Sequence, residues 1–126
     1  VGQGALGIAC ADDHRAVRNT VRTIIHHEVT GLCTAAERAF LQRTGGGCQV
    51  PMGPWARMVD DGVLRLDACI ASLDGDEAFR DHRTFAPDEV TEAGTALAED
   101  LLQRGGAEIL DEILGDRNQQ RSPFQP

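Results

Sequence analysis

Pro54-Trp55-Ala56-Arg57-Met58-Val59-Asp60-Asp61-Gly62-Val63-Leu64-Arg65-Leu66-Asp67-Ala68-Cys69-Ile70 decides the fold of this chain. Trp55, Arg57 and Val59 alternate with Ala56 and Met58, and a period of two is that of a strand whose side chains point to opposite faces. Asp61-Gly62 then supplies the residue pair favoured in tight hairpin turns, where a glycine takes positive φ without steric cost. Val63 to Ile70 forms the returning arm, so the stretch predicts a β-hairpin. Leu73-Asp74-Gly75-Asp76 offers a second turn, and Ala78 to Phe85 reads as a third, more polar strand at an edge.

On both sides of these strands the period changes to that of a helix. Downstream, Pro87 suits a first helical turn, Asp88 and Glu89 suit the positive end of the helix dipole, and Val90, Ala93, Leu97, Leu101 and Leu102 stripe one face. Gly105-Gly106 closes that helix, and a short one from Ala107 to Leu114 follows. Upstream, a helix is predicted from about Thr30 to Arg43, with Leu32, Ala35, Ala36, Ala39 and Phe40 on its apolar side, ended by Gly45-Gly46-Gly47. Helix, three strands and two helices imply an α+β domain: a three-stranded antiparallel sheet with helices on one face. Before it, Ala5 to Cys10 reads as a short apolar strand. Asp12 or Asp13 then caps a helix through Val17, Val21, Ile24 and Ile25.

Composition narrows the function classes. The 126 residues are 41% hydrophobic and 25% charged, enough for one core and an appended arm. Twenty Asp and Glu against twelve Arg, with no Lys, give a net charge of −8, which disfavours nonspecific attraction to nucleic acid or anionic lipid. No apolar run approaches the ~20 residues that span a bilayer, so the expectation is a soluble, cytoplasmic protein with no membrane partner. Cys10, Cys33, Cys48 and Cys69 are irregularly spaced and lack the short pairings of structural zinc, which points to reduced thiols and no metal. Gly2-Gln3-Gly4 lacks the third glycine and preceding strand of a dinucleotide site, and a phosphate-binding loop would need a lysine.

Cys48 is the residue most open to chemistry. Three glycines precede it, which removes every Cβ beside the thiol and permits a bulky group to approach the backbone. The blander reading is a small, packed, apolar side chain. Cys10, Cys33 and Cys69 lie among apolar residues and read as core thiols. Neighbouring His26 and His27 point apart on a helix end and read as a cap of the preceding helix. Arg38 on the helix reads as a surface or interdomain ion-pair partner, and neither it nor Arg43 or Arg57 is assigned to substrate.

Gly45-Gly46-Gly47-Cys48-Gln49-Val50-Pro51, taken with Val1-Gly2-Gln3-Gly4-Ala5-Leu6-Gly7-Ile8, resembles the C-terminal part of the porphobilinogen deaminases, also called hydroxymethylbilane synthases. The likeness continues through Asp61-Gly62-Val63-Leu64, Ser72-Leu73-Asp74-Gly75, Ala98-Glu99-Asp100-Leu101-Leu102 and Glu108-Ile109-Leu110. Ala9 departs from it where a glutamate is usual, as does Thr44-Gly45. The resemblance implies that Cys48 forms a thioether to a dipyrromethane cofactor, with Gly46 and Gly47 beside it and Gln3 and Gly4 near the bound pyrroles. On that cofactor such enzymes join four porphobilinogens head to tail with loss of ammonia, and hydrolysis releases hydroxymethylbilane. The resemblance also implies that the catalytic aspartate and most substrate-binding arginines lie upstream, so that no catalytic residue belongs to this chain.

Three segments are then expected. Residues 1–27 are a strand-helix remnant of an upstream domain, residues 28–114 the cofactor-anchoring α+β domain, and residues 115–126 a disordered tail. With a motif already under way at Val1, the chain reads as a fragment, inactive alone, whose partners are porphobilinogen and the upstream domains of an enzyme expected to be a monomer. The competing expectation is a noncatalytic α+β interaction module in which Cys48 is merely packed and the apolar faces of residues 1–26 dock on a partner.

Overall fold

The computed structural model of the chain describes residues 1–45 and 50–120. Helix α1 spans Arg15–Ile24 and helix α2 spans Glu28–Thr44. Strands β1 (Met52–Asp60), β2 (Val63–Ala71) and β3 (Ala78–Phe85) follow, then α3 (Val90–Leu101) and α4 (Ala107–Gln120). The three strands form one antiparallel sheet in the order β1-β2-β3, and the expected α+β architecture is the one observed. Alternation decides its two faces. Ala56, Leu64, Leu66, Ala68, Ile70 and Phe85 point into the core beneath α2 and α3, whereas Trp55, Arg57, Arg65, Asp67, Arg80 and His82 lie on the opposite, helix-free face.

Both turns follow from their sequence. Gly62 takes φ 68° in the hairpin between β1 and β2, and the pairing slips by one residue between Met58 and Asp60. In the second turn Gly75 takes φ 83°, and the Ser72 hydroxyl donates to the Asp74 carboxylate at 2.6 Å. Before α3 the chain makes a single turn from Pro87 to Glu89, where the Ala86 N–H donates to the Glu89 carboxylate at 2.9 Å. Helix α3 crosses α2 closely because residue 94 is glycine: a Cβ there would collide with the Ala36 carbonyl oxygen and come within 2.8 Å of Ala39 Cβ. Leu102–Gly106 forms a wide turn with Gly105 at φ 125° against the Phe79 ring, so that Ile109, Leu110 and Ile113 of α4 reach the same core.

Several expectations differ from the structure. Residues 5–10 form no strand, because no neighbouring backbone accepts or donates the ladder hydrogen bonds that a strand requires. Helix α1 forms, but its N-cap is His14 rather than Asp12 or Asp13, and none of its residues is buried. On α2 the packed face is Cys33, Ala36, Glu37, Ala39, Phe40 and Thr44, a stripe turned away from the predicted Ala35, which is exposed. His27 caps the helix that follows it, its Nδ1 accepting from the Thr30 N–H at 3.3 Å. Helix α4 continues to Gln120, past the Leu114 at which its apolar spacing ends, and residues 121–126 lie outside the described residues.

Candidate functional site

Cys48, Gly46 and Gly47, on which the sequence concentrates the chemistry, lie outside the described residues, but the two ends of their segment are described. At one end Gly45 takes the left-handed conformation, φ 64°, and its N–H donates to the Gln42 carbonyl, the usual way a glycine stops a helix. At the other end Val50 is buried and the Pro51 carbonyl accepts from the Ala71 N–H at 2.9 Å. The segment therefore leaves the C-terminus of α2 and re-enters at the head of β1, with both anchor points on the packed framework.

Gln3 and Gly4 are among the described residues. They form a tight turn in which the Ala5 N–H donates to the Gly2 carbonyl at 2.9 Å, with Gly2 at φ 63°. That turn lines a cleft of about 680 Å³ with Thr30, Cys33 and Thr34 of α2 and Pro54 to Met58 of β1.

Glu37 closes this cleft, and sequence reasoning missed it. Its side chain is 6% exposed, with Oε2 accepting from the Gly2 N–H at 2.8 Å and Oε1 from the Ala56 N–H at 2.9 Å. The available signal was a lone carboxylate in the packed register, four residues after Cys33 and three before Phe40. One turn back, burial and then the charge of Glu37 push the Cys33 thiol above its ordinary pKa, so that it stays protonated and inert. Cys33 is thus the core thiol expected, while Cys10 is exposed and Cys69 half-buried on the helix-free face.

The arginines sort into different roles. Arg43 pairs with Glu99 of α3 at 2.9 Å, an ordinary surface pair. Arg57 stacks on the Trp55 ring, 4.2 Å from its centroid, and pairs with Asp67 at 2.5 Å, while Arg65 holds the same carboxylate at 2.7 Å. The Arg65 hydrogen bond, and then Arg57, keep the Asp67 carboxyl below the usual carboxylate range. Arg38 lines a second open cleft of about 850 Å³ between α2, α1 and residues 1–10. Among the described residues no group of three or more His, Cys, Asp and Glu side chains is arranged to hold a metal, and no helix is long and apolar enough to cross a membrane.

Comparison with known proteins meets this geometry on the same residues. Residues 31–103, which run from α2 through the Cys48 segment and all three strands to the end of α3, match the family described as porphobilinogen deaminase, C-terminal domain. The porphobilinogen deaminase of Chlorobium chlorochromatii (strain CaD3) is 44% identical over 117 residues, covering 90% of this chain and 37% of that protein. The chain thus spans little more than a third of the length of that relative. With a family match over α2, the sheet and α3, and a relative this similar over 90% of the chain, the chain belongs to the porphobilinogen deaminase C-terminal domain family.

Proposed function

We propose that this chain is the cofactor-carrying portion of a hydroxymethylbilane synthase, in which Cys48 holds a dipyrromethane through a thioether while four porphobilinogens are joined into hydroxymethylbilane. The observation that carries the reading is the family match running through Cys48 and both framework anchors of its segment. The residue chemistry fits the group. A thiolate attacks carbon readily, and the resulting thioether survives reducing surroundings that would cleave a disulfide. When bound, the dipyrromethane supplies the pyrrole terminus to which new units are joined.

The chain's own residues then hold and orient. Gly45 and Val50 fix the ends of the segment on α2 and on the buried head of β1, so load on the Cys48 sulfur passes to the core rather than to a free terminus. Gly46 and Gly47 carry no side chain that could crowd the sulfur. Gln3 and Gly4 present the exposed turn that faces incoming pyrroles in the assembled enzyme. The carboxylate that steadies a positive pyrrole nitrogen, and most of the arginines that grip acetate and propionate groups, come from the upstream part of such an enzyme. This chain alone is therefore silent in catalysis.

Intact-mass measurement of the protein as expressed, beside a Cys48→Ser variant, tests the reading. Added mass matching two linked pyrroles, lost in the variant, supports the anchor. An adduct retained by the variant overturns it, and turnover of porphobilinogen by the purified chain overturns the claim of silence.

A further inference from the structure

Glu37 is the one carboxylate that the fold buries among the described residues, and nothing in the proposed attachment chemistry at Cys48 uses it. Burying a carboxylate is costly unless its oxygens are satisfied, and both are, by backbone amides 35 and 19 residues away in sequence. Each donor has a reason to be available. β1 is an edge of the sheet, so the Ala56 N–H points away from β2 and lacks a ladder partner. The Gly2 N–H is presented by the left-handed backbone of the Gly2–Ala5 turn, a conformation that favours glycine. Bonds from backbone amides to an ionised carboxylate are roughly twice as strong as neutral ones. If either donor leaves, a buried charge is left half-satisfied, so seating of the turn and burial of the charge are coupled.

We infer that Glu37 is a clasp, a positioning residue that pins the Gly2–Ala5 turn to the edge of β1 and so sets where Gln3 and Gly4 stand relative to the framework that carries Cys48. The clasp itself stands on the two hydrogen bonds. Its consequence for the pyrrole site rests on the proposed function.

Amide exchange measured residue by residue on the wild-type chain and on Glu37→Gln tests it. Glutamine keeps the volume and one acceptor oxygen, but its NH2 confronts the second amide donor to donor. The expected result is exchange faster by about ten- to hundredfold at Gly2, Ala5 and Ala56, with Leu66 and Leu97 in the core little changed. Unchanged exchange at Gly2 and Ala56 overturns the clasp, and so does equal acceleration at Leu66 and Leu97, which would mean a loss of overall stability instead. If the variant does not fold, the wild-type chain decides: protection at the Gly2 N–H above that of Gln3 supports the clasp, and its absence overturns it. None of these outcomes depends on whether Cys48 carries an adduct, so the clasp and the proposed function fail separately.

Discussion

Residues 1–27 and residues 28–114 contain comparable apolar side chains and bury them very differently. In the body, α2 and α3 lay Phe40, Leu97 and Leu101 on Leu64, Leu66 and Ile70 of the sheet until all are sealed from water. In the arm, Leu6 is 99% exposed and Ile24 75%, and α1 has no buried residue although its apolar positions follow helical spacing. A helix satisfies its backbone hydrogen bonds within itself, so α1 forms without a partner. A strand cannot, so the apolar stretch from Ala5 to Cys10 has sequence character without structure. Hydrophobic pattern therefore records what a segment is suited to pack against, and packing occurs only where that surface is present.

The largest expected effect breaks the comparison at the core. Leu66→Ala removes a fully buried side chain and should cost about 2–5 kcal/mol of unfolding free energy, including the cavity left behind. Ile24→Ala removes as much carbon from the arm and should stay within about 0.5 kcal/mol. Urea unfolding of the two variants beside the parent measures both. An Ile24→Ala cost as large as that of Leu66→Ala would mean that α1 is packed in solution and that the contrast is false.

That contrast also explains what could be read in advance. The hairpin at Asp61-Gly62, the turn at Asp74-Gly75 and the helix from Val90 to Leu101 were legible because their determinants are local: a glycine at positive φ, or a stripe along one element. The rotation of the α2 face was not, since it is set by elements distant in sequence: α3 packs on Ala36, Ala39 and Phe40, and Ala56 of β1 holds Glu37, which leaves Ala35 outside. Glu37 itself was hidden because a carboxylate in a packed register becomes intelligible only once Gly2 and Ala56, distant in sequence, are known to donate to it.

Substitution by alanine sharpens the same comparison with opposite signs. Gly94→Ala improves helix propensity by up to about 1 kcal/mol, yet its Cβ meets the Ala36 carbonyl and Ala39 of α2. Overpacking of this kind costs about 1–3 kcal/mol, so the net effect should be destabilising, with a lower melting temperature. Asn19→Ala on exposed α1 gains propensity and meets nothing, and should raise the helicity of residues 15–24, read from Cα chemical shifts, without moving the melting temperature of the body. A stabilising Gly94→Ala would show that α2 and α3 can part at little cost.

The smallest effect concerns charge on the helix-free face. Asp67 is held by Arg65 and Arg57, and its folded pKa lies below the ordinary value of 3.8. A carboxyl depressed in this way stabilises the fold at pH above its unfolded value, and that contribution fades as pH falls from about 4 through the folded value. Asp67 is about a third exposed, so solvent screening limits the contribution to under about 1 kcal/mol. Asp67→Asn should therefore destabilise slightly at pH 7 and flatten the loss of stability below pH 4, whereas Asp12→Asn, which breaks the exposed pair with Arg18 beside α1, should change body stability at neither pH. If Asp67→Asn leaves the acid limb of the stability curve unchanged, the three charges on β1 and β2 attract one another no more effectively than the pair on the solvated arm.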